Sequence, residues 1–268
     1  MIDYVIDGGV NYIVALGSTG EAMTQTLDEE RAVLDSAITH IDGRVPLVAG
    51  NFGGNDTMNL CRKLKNYRMD GIDGLLCSNP EYNKPTQAGI IAHYHALADC
   101  TDLPMIIYNV PSRTGSNMVA ETSLQVGAEI PHVVAVKEAS AFMDQIKEIA
   151  DHKSDDFLLL SGDDMVTHDM MQMGCDGVIS VIANIYPRVF SQMITHCQQG
   201  KWAEAKVLDD YVRDVHQYLY VEGNPTGVKS GAQILGLCTA ETRLPLMPLT
   251  TDNYQLLADM IHGKPDII

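Results

Sequence analysis

Residues Pro104–Gly115 read PMIIYNVPSRTG: a short apolar run, Pro104–Tyr108, ends in a tyrosine and gives way to a polar, proline- and glycine-containing loop. Val133–Ser140, VVAVKEAS, repeats the pattern with a lysine at the end of its run. Near-continuous apolar runs of this length are expected of strands covered on both faces of a parallel sheet. Working outward, similar runs occupy Tyr12–Leu16, Pro46–Ala49, Gly74–Cys77, Phe157–Ser161 and Gly177–Val181. Helix-like stretches such as Leu27–His40 and Gln87–Asp99 lie between them, which is βαβ repetition.

A repeat of roughly 30 residues with right-handed crossovers builds either an open doubly wound sheet or a closed eight-stranded barrel. No G-x-G-x-x-G follows the first run. Polar or glycine-rich segments follow nearly every carboxyl end: GSTGE, GNFGG, SNPEYNKP, NVPSRTG, KEAS, SGDD and IAN. A rim shared among many strands points to an α/β fold of the (β/α)8 TIM-barrel type. Only seven runs are visible, so the expectation is a barrel lacking its first strand. Helical stretches near Arg188–Gln199, Trp202–Tyr220, Pro225–Leu237 and Asp252–His262 exceed what one barrel repeat needs. The expected organisation is a barrel over residues 1–200 and a small C-terminal helical extension over 201–268.

Composition narrows the function. With 268 residues, 46% hydrophobic and 20% charged, the chain can bury a sizeable core, which excludes disorder. Eighteen basic against 35 acidic residues give a net charge of −17, which argues against nucleic-acid or membrane partners. The six cysteines form no C-x-x-C and read as reduced thiols, mostly buried. The opening MIDYVIDGGV has no basic n-region, and no apolar run approaches the ~18 residues of a bilayer span, so a cytoplasmic location is expected. No P-loop, dinucleotide fingerprint or HExxH helix is present, and neither a metal nor an organic cofactor is expected.

The strand ends carry the candidate chemistry. Lys137 closes VVAV, and an ammonium there loses hydration, which lowers its pKa toward the range where the neutral amine attacks a carbonyl. A lysine snorkelling to solvent is the bland alternative. Tyr108 ends a run one βα unit earlier, placed either to shuttle protons beside Lys137 or simply to bury a satisfied hydroxyl. Ser18 and Thr19 in GSTGE offer hydroxyls and glycine-flanked N–H groups for a small carboxylate, or only a tight turn with capping chemistry. Arg113 presents a planar fork for a carboxylate, or is a solvated loop arginine. Asp163 and Asp164 could serve as metal ligands or acids, but with no other carboxylate or histidine cluster at matching spacing they read as N-caps of the helix that follows them. His93 and His95, two apart on a helix, read as packing or surface residues, and DMMQM at Asp169–Met173 as core filler.

Taken in order, GSTGE, EYNKP, YNVPSRTG, VKEAS, LLSGDD, GVISV and EGNPTGVK resemble the dihydrodipicolinate synthase and N-acetylneuraminate lyase superfamily from Gly9 to about Thr250. YNVPSRTG looks like the synthase branch. The resemblance implies that Lys137 forms a Schiff base with pyruvate, with Tyr108, Ser18 and Tyr82 as proton relay. It implies that Ser18 and Thr19 hold the pyruvate carboxylate, that the Gly162 and Ile179 backbone lines the pocket, and that Arg113 holds the carboxylate of aspartate semialdehyde. The implied product is 4-hydroxy-tetrahydrodipicolinate, on the diaminopimelate route to lysine. Tyr82 is implied to reach a neighbouring subunit's site, hence a homo-oligomer, a dimer of dimers.

Several positions depart from the synthase pattern. Ser18 stands where synthases more often have threonine and the sialate lyases serine, which keeps open an aldolase acting on N-acetylneuraminate or a keto-deoxy sugar acid. Arg113 weighs the other way. The missing first strand also keeps open a catalytically silent paralogue. Glu81, Leu27, Glu30 and Asn59 do not match the polar and aromatic set of lysine-inhibited synthases, although Asn55 does; weak feedback inhibition by lysine is expected.

Overall fold

The structure is a computed structural model that describes residues 1–264, so the last four residues of the expected 201–268 extension lie outside the described residues. The chain forms two compact units, one from Met1–Val45 and Ser180 onward, the other from Pro46–Ile179. Among the described residues, seven strands alternate with helices.

The first unit begins with helix α1 (Ile2–Asp7), strand β1 (Ile13–Ala15), two 3-10 turns (Ser18–Gly20 and Ala22–Thr24) and helix α2 (Leu27–Ile41). Its sequence explains where α2 starts. Thr26 and Glu29 form a reciprocal capping box, and Asp28, Glu29 and Glu30 place negative charge on the first turn, where the helix dipole is positive.

The second unit contains β2 (Leu47–Phe52), α3 (Thr57–Asn66), β3 (Gly74–Ser78), α4 (Gln87–Ala98), β4 (Met105–Asn109), the short α5 (Pro111–Thr114), α6 (Ala120–Glu129), β5 (Val133–Glu138), α7 (Met143–His152), β6 (Leu158–Ser161), α8 (Thr167–Gln172) and β7 (Gly177–Val178). Each strand from β2 to β7 pairs in parallel with the next. Ala49, Leu75, Cys77, Met105, Ile107, Val136 and Leu159 are fully buried, as are Ile90, Leu97, Val126, Ile146 and Ile149 on the covering helices. Burying each large aliphatic side chain contributes roughly 1.5–3 kcal/mol.

Register at the amino ends is set twice by the same device. The N–H of Asp73 donates to Leu47 O while its carboxylate accepts from Leu47 N, both at 2.8 Å. Asp176 does the same with Leu159, again at 2.8 Å. Each aspartate satisfies a strand-end donor that would otherwise be unpaired.

The first unit resumes with a 3-10 turn at Ile182–Asn184, then α9 (Pro187–Gln198), α10 (Trp202–Tyr218), α11 (Thr226–Ile234) and α12 (Thr251–His262). Ion pairs join its early and late segments: Lys229 to Glu21 at 2.6 Å and Arg243 to Glu29 at 2.7 Å.

Several expected boundaries move: the Pro46–Ala49 run continues as strand to Phe52, and the helix expected to reach Tyr220 ends at Tyr218. Gly177–Val181 is strand only over its first two residues, because β6 ends at Ser161 and offers no further partner. Beyond it the Ser180 hydroxyl accepts from Ala183 N and starts a turn. The helix expected at Pro225–Leu237 stops at Ile234, where Gly236 takes a left-handed conformation and Leu237 N closes on Ala232 O. All six cysteines are free; Cys61, Cys77, Cys175 and Cys197 are buried, while Cys238 is exposed. No described helix is long and apolar enough to cross a membrane.

Candidate active site

Strand register determines what meets at the carboxyl ends. Ser78, Tyr108, Lys137 and Leu160 are successive partners across β3, β4, β5 and β6, so they form one row on one face of the sheet. The next residues, Asn109, Glu138 and Ser161, form a second row on the opposite face. Asn79 joins this second row, its N–H donating to Tyr108 O at 3.2 Å.

In the first row Lys137 Nζ stands 5.2 Å from the centroid of the Tyr108 ring. The lysine is reachable by solvent, yet protein surrounds its amine. Burial therefore dominates and lowers its pKa from 10.5 to about 8. Asp164 opposes the shift by favouring the ammonium, and Arg113 adds to it as a like charge. The stem of Lys137 needs a glycine opposite: a Cβ on Gly162 would lie 2.7 Å from Lys137 Cε and 2.9 Å from Ala139 Cβ. Tyr108 is itself nearly buried. The arrangement supplies an amine that is partly neutral near pH 8, with a phenol beside it.

Arg113 is exposed on α5, and its charge is felt at Lys137. Ile179 is fastened to β6 by its N–H, which donates to Ser161 O at 2.9 Å, and Gly162 N donates to Glu138 O at 2.9 Å. Tyr82 is different. It is 87% exposed and in a left-handed conformation. Its backbone N–H donates to Thr114 O at 3.1 Å, so the Tyr82 and Arg113 loops are joined.

Ser18 and Thr19 lie in the first unit, in the 3-10 turn Ser18–Gly20, where Thr19 Oγ1 accepts from Asn224 Nδ2 at 2.9 Å. The capping reading of Asp163 and Asp164 does not hold. The N-cap of α8 is Val166 without a side-chain cap. Asp163 instead accepts from Met165 N at 3.0 Å, and Asp164 is buried, close enough for its charge to act on Lys137. His93 is buried and shares a hydrogen bond with Thr57 at 2.8 Å; His95 is exposed and pairs with Glu129 at 2.8 Å.

The second row escaped the reading of the sequence. Asn79, Asn109, Glu138 and Ser161 are all fully buried. The signal was a polar residue immediately after each catalytic-face position at a strand end, a pattern easily taken for the start of a loop.

Fold and site together define a class: α/β proteins of parallel strands that set a desolvated lysine beside a tyrosine at neighbouring strand ends. The match is to the dihydrodipicolinate synthetase family over residues 1–264, and the chain belongs to that family. The 4-hydroxy-tetrahydrodipicolinate synthase of Parabacteroides distasonis is 40% identical over 261 residues, covering 97% of this chain and 88% of the relative. A crystal structure of dihydrodipicolinate synthase from Aquifex aeolicus superposes with a TM-score of 0.93 at 36% identity, covering 100% of this chain and 92% of that one. The chloride-inhibited Acinetobacter baumannii enzyme, solved complexed with pyruvate, gives a TM-score of 0.92 at 36% identity over 98% of this chain and 91% of that one. The structural neighbours share the α/β architecture of parallel strands and helices that the strand-end pattern indicated.

Proposed function

We propose that the protein condenses pyruvate with L-aspartate 4-semialdehyde through an imine on Lys137, giving 4-hydroxy-tetrahydrodipicolinate for lysine biosynthesis. The observation that carries this is the Lys137 amine, lowered to about 8 and set 5.2 Å from the Tyr108 ring. Relatives at about 40% identity bear the synthase name, and one structural neighbour was solved with pyruvate.

The neutral amine attacks the keto carbon of pyruvate, and loss of water leaves the imine. The imine draws electrons from the adjacent methyl group, so a proton leaves and an enamine forms. Tyr108, whose ring lies 5.2 Å from Lys137 Nζ, is assigned to carry these protons. The enamine carbon attacks the aldehyde carbon of the semialdehyde. The substrate amine then adds at the imine carbon, expels Lys137 and closes the ring.

Arg113 is assigned to the semialdehyde carboxylate, and the Gly162 and Ile179 backbone to the pocket lining. Ser18 and Thr19 are assigned to the pyruvate carboxylate on the GSTGE motif alone. The 87% exposure of Tyr82 favours a role toward a second copy of the chain, in a homo-oligomer. On this reading residues 1–200 are the barrel without its first strand, 201–268 its helical extension, and the protein works in the cytoplasm without a cofactor.

The test supplies pyruvate with either aspartate semialdehyde or N-acetylmannosamine. Turnover of the first alone is expected, with Arg113→Ala raising KM for the semialdehyde about tenfold and leaving kcat nearly unchanged. Turnover of the sugar would overturn the reading.

A further inference from the structure

Glu138 is fully buried, directly after Lys137, and among the described residues it forms no ion pair. Its carboxylate is held by neutral donors: Asn109 Nδ2 at 2.7 Å and Gln145 Nε2 at 2.9 Å on Oε2, and Ser140 N at 2.6 Å on Oε1. An unpaired buried carboxylate costs several kcal/mol unless its lone pairs are filled, so a fully satisfied one is a rigid junction.

The junction extends in both directions. Asn109 Oδ1 accepts from Asn79 Nδ2 at 2.8 Å and from Met118 N at 2.9 Å, and Asn79 Oδ1 accepts from Tyr94 OH at 2.9 Å. Asn109 Nδ2 also lies 3.0 Å from Met118 O and from Asn117 Oδ1, so its two hydrogens are shared among three acceptors. Asn117 Nδ2 donates to Gln145 Oε1 at 2.9 Å. The ends of β3, β4 and β5, helix α7 and both ends of the segment carrying Arg113 thus converge on one carboxylate.

We propose that Glu138 is a positioning residue: by gripping Asn109, Gln145 and Ser140 behind the sheet, it fixes the ends of β4 and β5 so that Lys137 and Tyr108 stay side by side in the first row. The inference rests on the proposed reading of Lys137 as the imine-forming residue. Because side chains alternate across a strand, Glu138 cannot touch substrate bound at Lys137 and acts only through the backbone it holds.

The charged and titratable groups facing Lys137 are Tyr108 from β4, Arg113 from α5 and Asp164 from the segment after β6. Glu138→Gln leaves all of them in place, keeps the side-chain size and, whichever way its amide turns, sets an NH2 against a donor: Ser140 N on one side, or the Asn109 and Gln145 amides on the other. The experiment traps pyruvate on Lys137 with borohydride between pH 6 and 10 and follows the mass gain. In the wild type half-maximal trapping is expected near pH 8. In Glu138→Gln, trapping at pH 7 is expected to slow at least tenfold and the midpoint to move upward, because a loosened lysine regains water. Glu138→Asp, which keeps the charge, should recover part of the rate.

An unmoved midpoint and rate in folded Glu138→Gln would overturn the inference, as would a downward move, which is the sign expected from deleting a negative charge acting through space. Should Glu138→Gln fail to fold, Gln145→Ala removes one donor from a half-buried position and is expected to move the midpoint in the same direction by less; no movement there overturns the inference. Absence of any adduct on the wild type would instead overturn the reading of Lys137 itself.

Discussion

The two rows at the strand ends, one residue apart, bury ionisable groups in opposite ways. Glu138 on the helix side is surrounded by donors that match a carboxylate, whereas Lys137 on the other side is desolvated beside an aromatic ring, with Asp164 and Arg113 acting on it in opposite directions. The first solution fills the carboxylate's hydrogen-bonding capacity and stiffens the backbone. The second destabilises the charged form and, on the proposed reading, makes the amine reactive. Strand alternation lets one dipeptide, Lys137–Glu138, serve both purposes without either side chain meeting the other.

The sharpest way to break this contrast is to remove the costly group. The fall from 10.5 to about 8 corresponds to about 3 kcal/mol at ~1.36 kcal/mol per pH unit. The sign follows from proton counting: between pH 8 and 10.5 the unfolded chain holds a proton that the folded lysine has lost. The penalty is therefore present in full below pH 8 and fades as pH rises to 10.5. Lys137→Met is expected to abolish the pyruvate adduct, to lower turnover more than a thousandfold, and to raise stability at pH 7 by about 1–3 kcal/mol. Equal or lower stability in urea titrations would show that the lysine is not under strain.

The second row should respond in the other direction. Asn109→Ala strips a donor from Glu138, an acceptor from Asn79 and an acceptor from Met118 N, all buried. Leaving such groups unpaired is expected to cost about 2–4 kcal/mol, read as a lower urea midpoint with an unchanged slope.

Much of the first row was legible in the sequence, and the second was not, for a physical reason. An apolar run ending in lysine or tyrosine is itself a contradiction of patterning, so Lys137 and Tyr108 stood out as residues needing a purpose. Asn79, Asn109, Glu138 and Ser161 sit where polarity is expected, at the passage from strand to loop. Their burial comes with distant segments: Gln145 of α7 and Asn117–Met118 meet Glu138 and Asn109, Tyr94 of α4 meets Asn79, and Thr167 of α8 meets Ser161, which no local pattern reports. The same limit shifted β7: its expected length was set by apolar content, but its observed length is set by where β6 stops offering partners. The left-handed backbone of Tyr82 was likewise invisible in EYNKP, because no local pattern there calls for a positive φ.

Against the first row lies a glycine that sharpens the comparison. At Gly162 an added methyl would come 2.7 Å from Lys137 Cε and 3.0 Å from Lys137 Cγ, which can move with the side chain, but also 2.9 Å from Ala139 Cβ, which is fixed to the backbone. Gly162→Ala is expected to lower kcat ten- to a hundredfold, equivalent to about 1.4–2.7 kcal/mol, with little loss of stability. Gly227 in α11 provides the contrast. A methyl there would fall 2.0 Å from the backbone oxygen of Leu219, so Gly227→Ala is expected to fail as a fold rather than as a catalyst. Circular dichroism and turnover measured on the same samples separate the two outcomes.

The smallest effect concerns a buried base that has no part in the chemistry. His93 on α4 shares its hydrogen with Thr57 on α3, and burial lowers its pKa from 6.5 to about 4. Between those values the unfolded chain binds the extra proton and the folded one does not, so stability is lost as pH falls from 6.5 toward 4. At pH 5.5 the loss relative to pH 7.5 is about 1 kcal/mol for this group alone. The carboxylates of Glu21, Glu29 and Glu222, all lowered below their usual value of 4.5, release their contributions only at more acidic pH. His93→Asn can keep the bond to Thr57 but does not titrate. Its stability is therefore expected to stay level from pH 7.5 to 5.5 where that of the wild type declines, and parallel declines in the two proteins would show that this histidine takes up its proton without opening the α3–α4 contact.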